Sequence, residues 1–219
     1  MNIYWYVSKA KLDLLAEQSP GFFTGVKAKL GFKLGLLSGS LEGTQPARTI
    51  DDLQRVIKKL RSQNDIKDFS ELTESDAPVL ISFDGPATRQ INDKVFWLSM
   101  ESGSRGLLLA GSPASAIGSP TVSGATFSPS ADPVSAIKSA FSGDDSQIGF
   151  GGTQMSLSVS LSYAWRSLMD DAASGTLPNA KGIAIFARSI KADRAQMRVI
   201  GKASVTELVI GSPIYVEQY

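Results

Sequence analysis

Apolar and polar positions alternate without a break over residues 26–36. Val26, Ala28, Leu30, Phe32, Leu34 and Leu36 fall on one side, and Lys27, Lys29, Gly31, Lys33 and Gly35 on the other. Side chains leave a strand on alternate faces, so this period predicts a long strand with one buried face and one basic, glycine-studded face. A shorter alternation opens the chain. Ile3, Trp5 and Val7 share one face of a predicted strand and Tyr4 and Tyr6 the other. Ser8 then suits a helix N-cap, with Leu12 and Leu15 on the apolar side of a helix that Ser19-Pro20-Gly21 stops.

Helical spacing is clearest at Ile50, Leu53, Val56, Ile57 and Leu60. Thr49 and Asp52 have capping-box spacing at the start of this helix, and Lys58, Lys59 and Arg61 suit the negative end of its dipole. Strands follow over 78–83, 94–100 and 106–110, the last two joined by a hairpin turn over 101–105. Residues 111–130 are rich in Ser, Gly and Pro and read as a linker or a long surface loop. Asp132-Pro133 opens a helix reaching about residue 141. Met155, Leu157, Val159 and Leu161 alternate with serines, which predicts a strand, before Leu161, Trp165, Leu168 and Ala172 switch to helical spacing. Strands over 182–188, 197–203 and 207–210 complete the reading.

The expected fold is therefore α+β, an antiparallel or mixed sheet packed by two to four helices. Residues 1–110 and 132–219 repeat one order of elements, with 111–131 between them. Each stretch brings an apolar strand up to Gly-Ser-Pro, at 111–113 and at 211–213. Two related halves and one continuous domain are both open on this pattern.

Composition changes the picture mainly by exclusion. The chain has neither cysteine nor histidine, which removes thiol nucleophiles, disulfides, imidazole metal sites and every triad with a histidine base. Its 22 Lys+Arg against 21 Asp+Glu give a net charge of +1, so no global field draws it to nucleic acid or membrane. The apolar start is too short for a secretory signal. The uncharged stretch over 106–131 holds too much Ser, Gly and Pro to span a bilayer. A cytoplasmic, soluble protein without a membrane partner is expected.

The opening Tyr4-Trp5-Tyr6-Val7-Ser8-Lys9-Ala10-Lys11 and the closing Gly211-Ser212-Pro213-Ile214-Tyr215-Val216 resemble a family of uncharacterised bacterial proteins. The likeness covers about twenty residues at the two ends. It implies a bacterial origin and a role beside defence or signalling proteins, and it carries no catalytic residue with it.

Candidate chemistry is sparse. Ser8-x-x-Lys11 has the spacing of a serine–lysine nucleophile, but the companion Ser-Asp-Asn and Lys-Thr-Gly elements are missing, and a capped helix with a solvated lysine is the preferred reading. The pairs Asp51-Asp52, Asp144-Asp145 and Asp170-Asp171 offer oxygen ligands for magnesium. Adjacent helical residues diverge, however, and structural roles suffice. Gly149-Phe150-Gly151-Gly152 leads into a strand rather than a helix N-terminus, so it is no phosphate loop. No catalytic residue, metal ligand or cofactor is assigned. Lys27, Lys29 and Lys33 share one face, and Tyr4 and Tyr6 join them if the two strands pair, giving a basic and aromatic binding patch. The leading expectation is a non-catalytic binding or assembly module acting through another protein of the same system. The alternatives are a magnesium-dependent phosphoryl-transfer enzyme or nuclease using carboxylates, and a nucleic-acid or polyanion binder through the lysine face.

Overall fold

The computed structural model describes residues 3–16, 46–62, 66–73, 80–92, 95–117, 133–143, 148–150, 153–171 and 175–219. The predicted strand over 26–36, with Lys27, Lys29 and Lys33, lies outside them. Nine strands and five α-helices are described. The strands are β1 (Ile3–Val7), β2 (Ile66–Asp68), β3 (Leu80–Ile91), β4 (Phe96–Ser102), β5 (Arg105–Gly111), β6 (Ile148–Phe150), β7 (Thr153–Met155), β8 (Asn179–Lys191) and β9 (Glu207–Gln218). The helices are α1 (Lys9–Ala16), α2 (Pro46–Ser62), α3 (Pro133–Ser142), α4 (Leu157–Asp171) and α5 (Arg194–Val199).

These strands overturn the expected α+β sheet. β3, β4, β5, β9 and β8 pair in a ring, so the sheet closes into a five-stranded barrel, with β1 added on β9 and β2 on β3. The described structure is mostly strand, and among the described residues the helices pack on a closed barrel rather than on one face of an open sheet. Closure rests on two long strands that change partners. β3 pairs with β8 through residues 80–86 and with β4 through residues 87–91. At the changeover stand Gly85, whose φ of 149° few side chains tolerate, and Pro86, which has no N–H to give a ladder. β9 pairs with β8 along one edge, while its other edge meets β5 over residues 207–211 and β1 over residues 215–218. Closure abolishes most exposed edges. Strands from both sides of residues 111–131 thus share one barrel.

Side chains fill the interior. Phe83, Phe96, Met100, Leu107, Phe186 and Val209 belong to one buried cluster without a residue from any α-helix. A small barrel is expected to be packed in this way. Helices lie outside it. Leu53, Val56 and Leu60 of α2 and Leu12 of α1 bury against Leu80, Ile183 and Ile185. Leu161, Trp165 and Leu168 of α4 bury with Ala136 and Ile137 of α3 against Trp97, Leu108 and Ile210. Trp165 Nε1 also donates to Met100 O at 3.2 Å, which fixes the height of α4 on the barrel wall.

Three local expectations are corrected. Of the serine alternation over 155–161, Met155 ends β7 and residues 157–161 are the first turn of α4, whose inward residues are Leu157, Leu161, Ala164, Trp165 and Leu168. The strand expected over 197–203 is replaced by α5, which Asp193 caps by accepting from Gln196 N at 2.9 Å. Thr49 lies inside α2, not at its start. The 101–105 hairpin is present, with Gly103 at φ 58° as its turn residue.

The opening strand contains the most consequential correction. Its register against β9 slips between Tyr4 and Tyr6, so Trp5 is a bulge. The extra residue breaks the alternation: Trp5 and Tyr6 both enter the barrel interior, while Tyr4 and Val7 turn to the α2 side. Tyr4 and Tyr6 therefore do not share a face.

Candidate functional site

The two Gly-Ser-Pro segments converge. β5 and β9 run parallel and in register up to Leu109 opposite Gly211, then part. β1 takes over along β9 only at Tyr215. Ser212, Pro213 and Ile214 span this handover, where the regular ladder offers their backbone no strand partner on that edge. Buried carbonyls in such a gap need donors. Ser212 Oγ donates to Ala110 O at 2.7 Å, Ser8 N donates to Ile214 O at 2.9 Å, and Lys11 Nζ donates to Pro213 O at 2.6 Å.

Lys11 reaches this place because it follows Ser8 by one helical turn. Ser8 O accepts from Leu12 N at 3.0 Å, which starts α1, and the first turn aims the lysine back towards β9. The side chain is buried, 3% exposed, contrary to the solvated lysine expected from sequence. Its second hydrogen bond goes to Ser212 Oγ at 2.5 Å, and its Nζ lies 5.6 Å from the centre of the Tyr6 ring. Burial lowers the Lys11 amine to about 7. A neutral amine has two protons, and the two acceptors match them.

Tyr6 closes the other side of the cluster. Burial pushes its phenol above the ordinary value, opposed by hydrogen bonds with the Ser115 and Ser8 side chains and the Ser112 backbone. Its ring lies 4.7 Å from that of Phe96. Gly111 leaves room for the hydroxyl; a Cβ there would stand 2.5 Å from it.

Tyr4, half-buried, is elsewhere: its hydroxyl accepts from Gln54 of α2 at 3.1 Å. The structure thus sends the two proposed tyrosines to different surroundings, and the three lysines proposed with them lie outside the described residues. Sequence reasoning set Lys11 aside and did not reach Ser212 or Arg89. The repeated Gly-Ser-Pro was the available signal for Ser212. Arg89 stands on β3 beyond Gly85-Pro86, where the expected strand had stopped. Its guanidinium lies over the Trp5 ring at 4.6 Å, and Trp5 Nε1 donates to Gln218 Oε1 at 2.8 Å. Among the described residues no three His, Cys, Asp or Glu side chains converge as metal ligands, and no helix is long and apolar enough to cross a membrane.

A small closed barrel whose first and last strands lock through a buried lysine is the class of structure defined here. The chain belongs to a family of unknown function, DUF7019, whose model matches residues 2–219. No curated protein and no solved structure matches it.

Proposed function

We propose that the protein is a non-catalytic binding module that acts through a partner protein. The observation that carries this reading is the direction of the hydrogen bonds at Ser212. Its hydroxyl proton is used on Ala110 O, and Lys11 is the donor to its oxygen. A serine–lysine nucleophile needs the reverse, a hydroxyl whose proton is held by the amine. The cluster therefore works as a lock between the chain ends, and the filled interior leaves binding to the outer surface and the barrel ends. The likeness of the ends to bacterial proteins supports a partner within a bacterial defence or signalling system.

Two measurements test the reading. A serine-directed fluorophosphonate is expected to leave the intact mass of the folded protein unchanged; a Lys11-dependent adduct on Ser212 would overturn the proposal. Tagged protein recovered from its native cells after crosslinking should hold one partner in constant ratio, and Lys11→Met should retain it. Loss of all partners from a folded Lys11→Met variant contradicts a purely structural lysine.

A further inference from the structure

Arg89 carries a charge that no described residue pairs with. Ile81, Phe83, Ala87 and Ile91 of β3 all belong to the interior cluster, so the alternation turns Arg89 inward as well. It does so near the end of the strand, where its side chain is only half-buried and solvent reaches part of it. Its Nη1 is enclosed without a hydrogen-bond partner, and Arg89 makes no ion pair among the described residues. The contrast with Lys11 is chemical. Lys11 can shed its proton and satisfy what remains, whereas a guanidinium stays charged and keeps five donors.

The Trp5 ring lies 4.6 Å from the guanidinium carbon, a cation–π contact that gives the N–H donors no oxygen acceptor. Trp5 is itself held by its bond to Gln218. Because Nη1 is enclosed, an incoming carboxylate or phosphate meets the fork from the Nε–H and Nη2 side, where two parallel N–H groups can take both of its oxygens at once.

We propose that Arg89, set over the Trp5 ring at the end of the barrel where β3 finishes, is an oxyanion-binding site that takes a carboxylate or phosphate group. The site deepens the binding-module reading and rests on it for the identity of the bearer, a partner presenting that group.

The test uses the full isotope-labelled chain, with inorganic phosphate and acetate as probes at constant ionic strength. The Arg89 Nε–H and Trp5 indole N–H resonances are expected to shift saturably with at least one anion. Arg89→Lys, which keeps the charge but loses the planar fork, should weaken that binding about tenfold with the amide spectrum otherwise unchanged. A response to phosphate alone supports a phosphorylated source, and a response to acetate a carboxylate source. No saturable shift with either anion in the unmodified protein overturns the site, as does an unchanged affinity in Arg89→Lys. Both results are independent of the Ser212 labelling, so failure of the site and failure of the binding-module reading are separable.

Discussion

Lys11 and Ser212 are 201 positions apart in the chain and 2.5 Å apart in the fold. Between them they satisfy the carbonyls of Pro213 and Ala110, which the parting of β5 from β9 leaves without ladder partners. A lysine in this place is tolerated because it can give up its charge, and that property sets a pH dependence.

The Lys11 amine sits at about 7 in the folded protein, against 10.5 for an unperturbed lysine. Between those values the unfolded chain holds a proton that the folded chain has released. Stability therefore rises with pH through that window, by at most about 1.4 kcal/mol per pH unit. Below about 7 both states are protonated, and the full cost of enclosing the cation remains. Lys11→Met removes this term. Urea unfolding should show the wild type gaining about 2–3 kcal/mol on Lys11→Met between about pH 6 and about pH 9. Parallel pH profiles would show that the amine does not titrate in that range.

Gly111→Ala places a methyl group 2.5 Å from the Tyr6 hydroxyl, which hydrogen bonds hold in place. Overpacking of this kind costs about 1–3 kcal/mol. Gly175→Ala meets nothing within 4 Å and should change stability by no more than about 0.5 kcal/mol. Thermal melts of the two variants side by side check the difference, and equal midpoints would remove the Tyr6–Gly111 contact from the account.

Tyr6→Phe keeps the ring against Phe96 and deletes only the hydroxyl shared with Ser115, Ser8 and the Ser112 backbone. A loss of about 1–3 kcal/mol is expected, since the buried partners are left unmet. The denaturation midpoint should fall with an unchanged slope; a changed slope would mean that the 112–117 segment detaches.

On α2, Leu53 is fully buried against the barrel and Lys58 is exposed. Leu53→Ala should cost about 2–5 kcal/mol and Lys58→Ala at most about 0.5 kcal/mol. Comparable losses at both positions would mean that the helix docks by another face.

Elements whose pattern is local were readable from sequence. The stripe from Leu53 to Leu60 gave α2, and the apolar runs around Glu101–Arg105 gave the β4–β5 hairpin. Barrel closure was not readable, because it depends on β3 and β9 each changing partner midway, and no local pattern announces that. The strand expected over 78–83 runs on through Gly85-Pro86, where it changes partners. The serines of α4 mimicked a strand because every second residue was polar, while burial followed the spacing of Leu157, Leu161 and Leu168. At the site, Ser8-x-x-Lys11 was visible and its spacing was right for a shared helical turn. Its burial depends on Ser212 and Pro213 arriving from the far end of the chain, which spacing alone does not reveal. The Trp5 bulge is hidden for the same reason: Tyr-Trp-Tyr alternates perfectly until a partner strand sets the register.

The placement of β9 has a consequence for how the protein is made. β1 is made well before the strand spanning residues 207–218, which is its ladder partner among the described residues. β5 and β8 depend on that same strand. Until it is synthesised the ring has an open seam, the aromatic residues of β1 have no interior to enter, and Lys11 has no carbonyl to meet. Contacts of such long sequence separation slow folding. During synthesis the growing chain therefore holds a hydrophobic strand and a basic side chain in waiting, and the ring closes only after residues 207–218 have emerged.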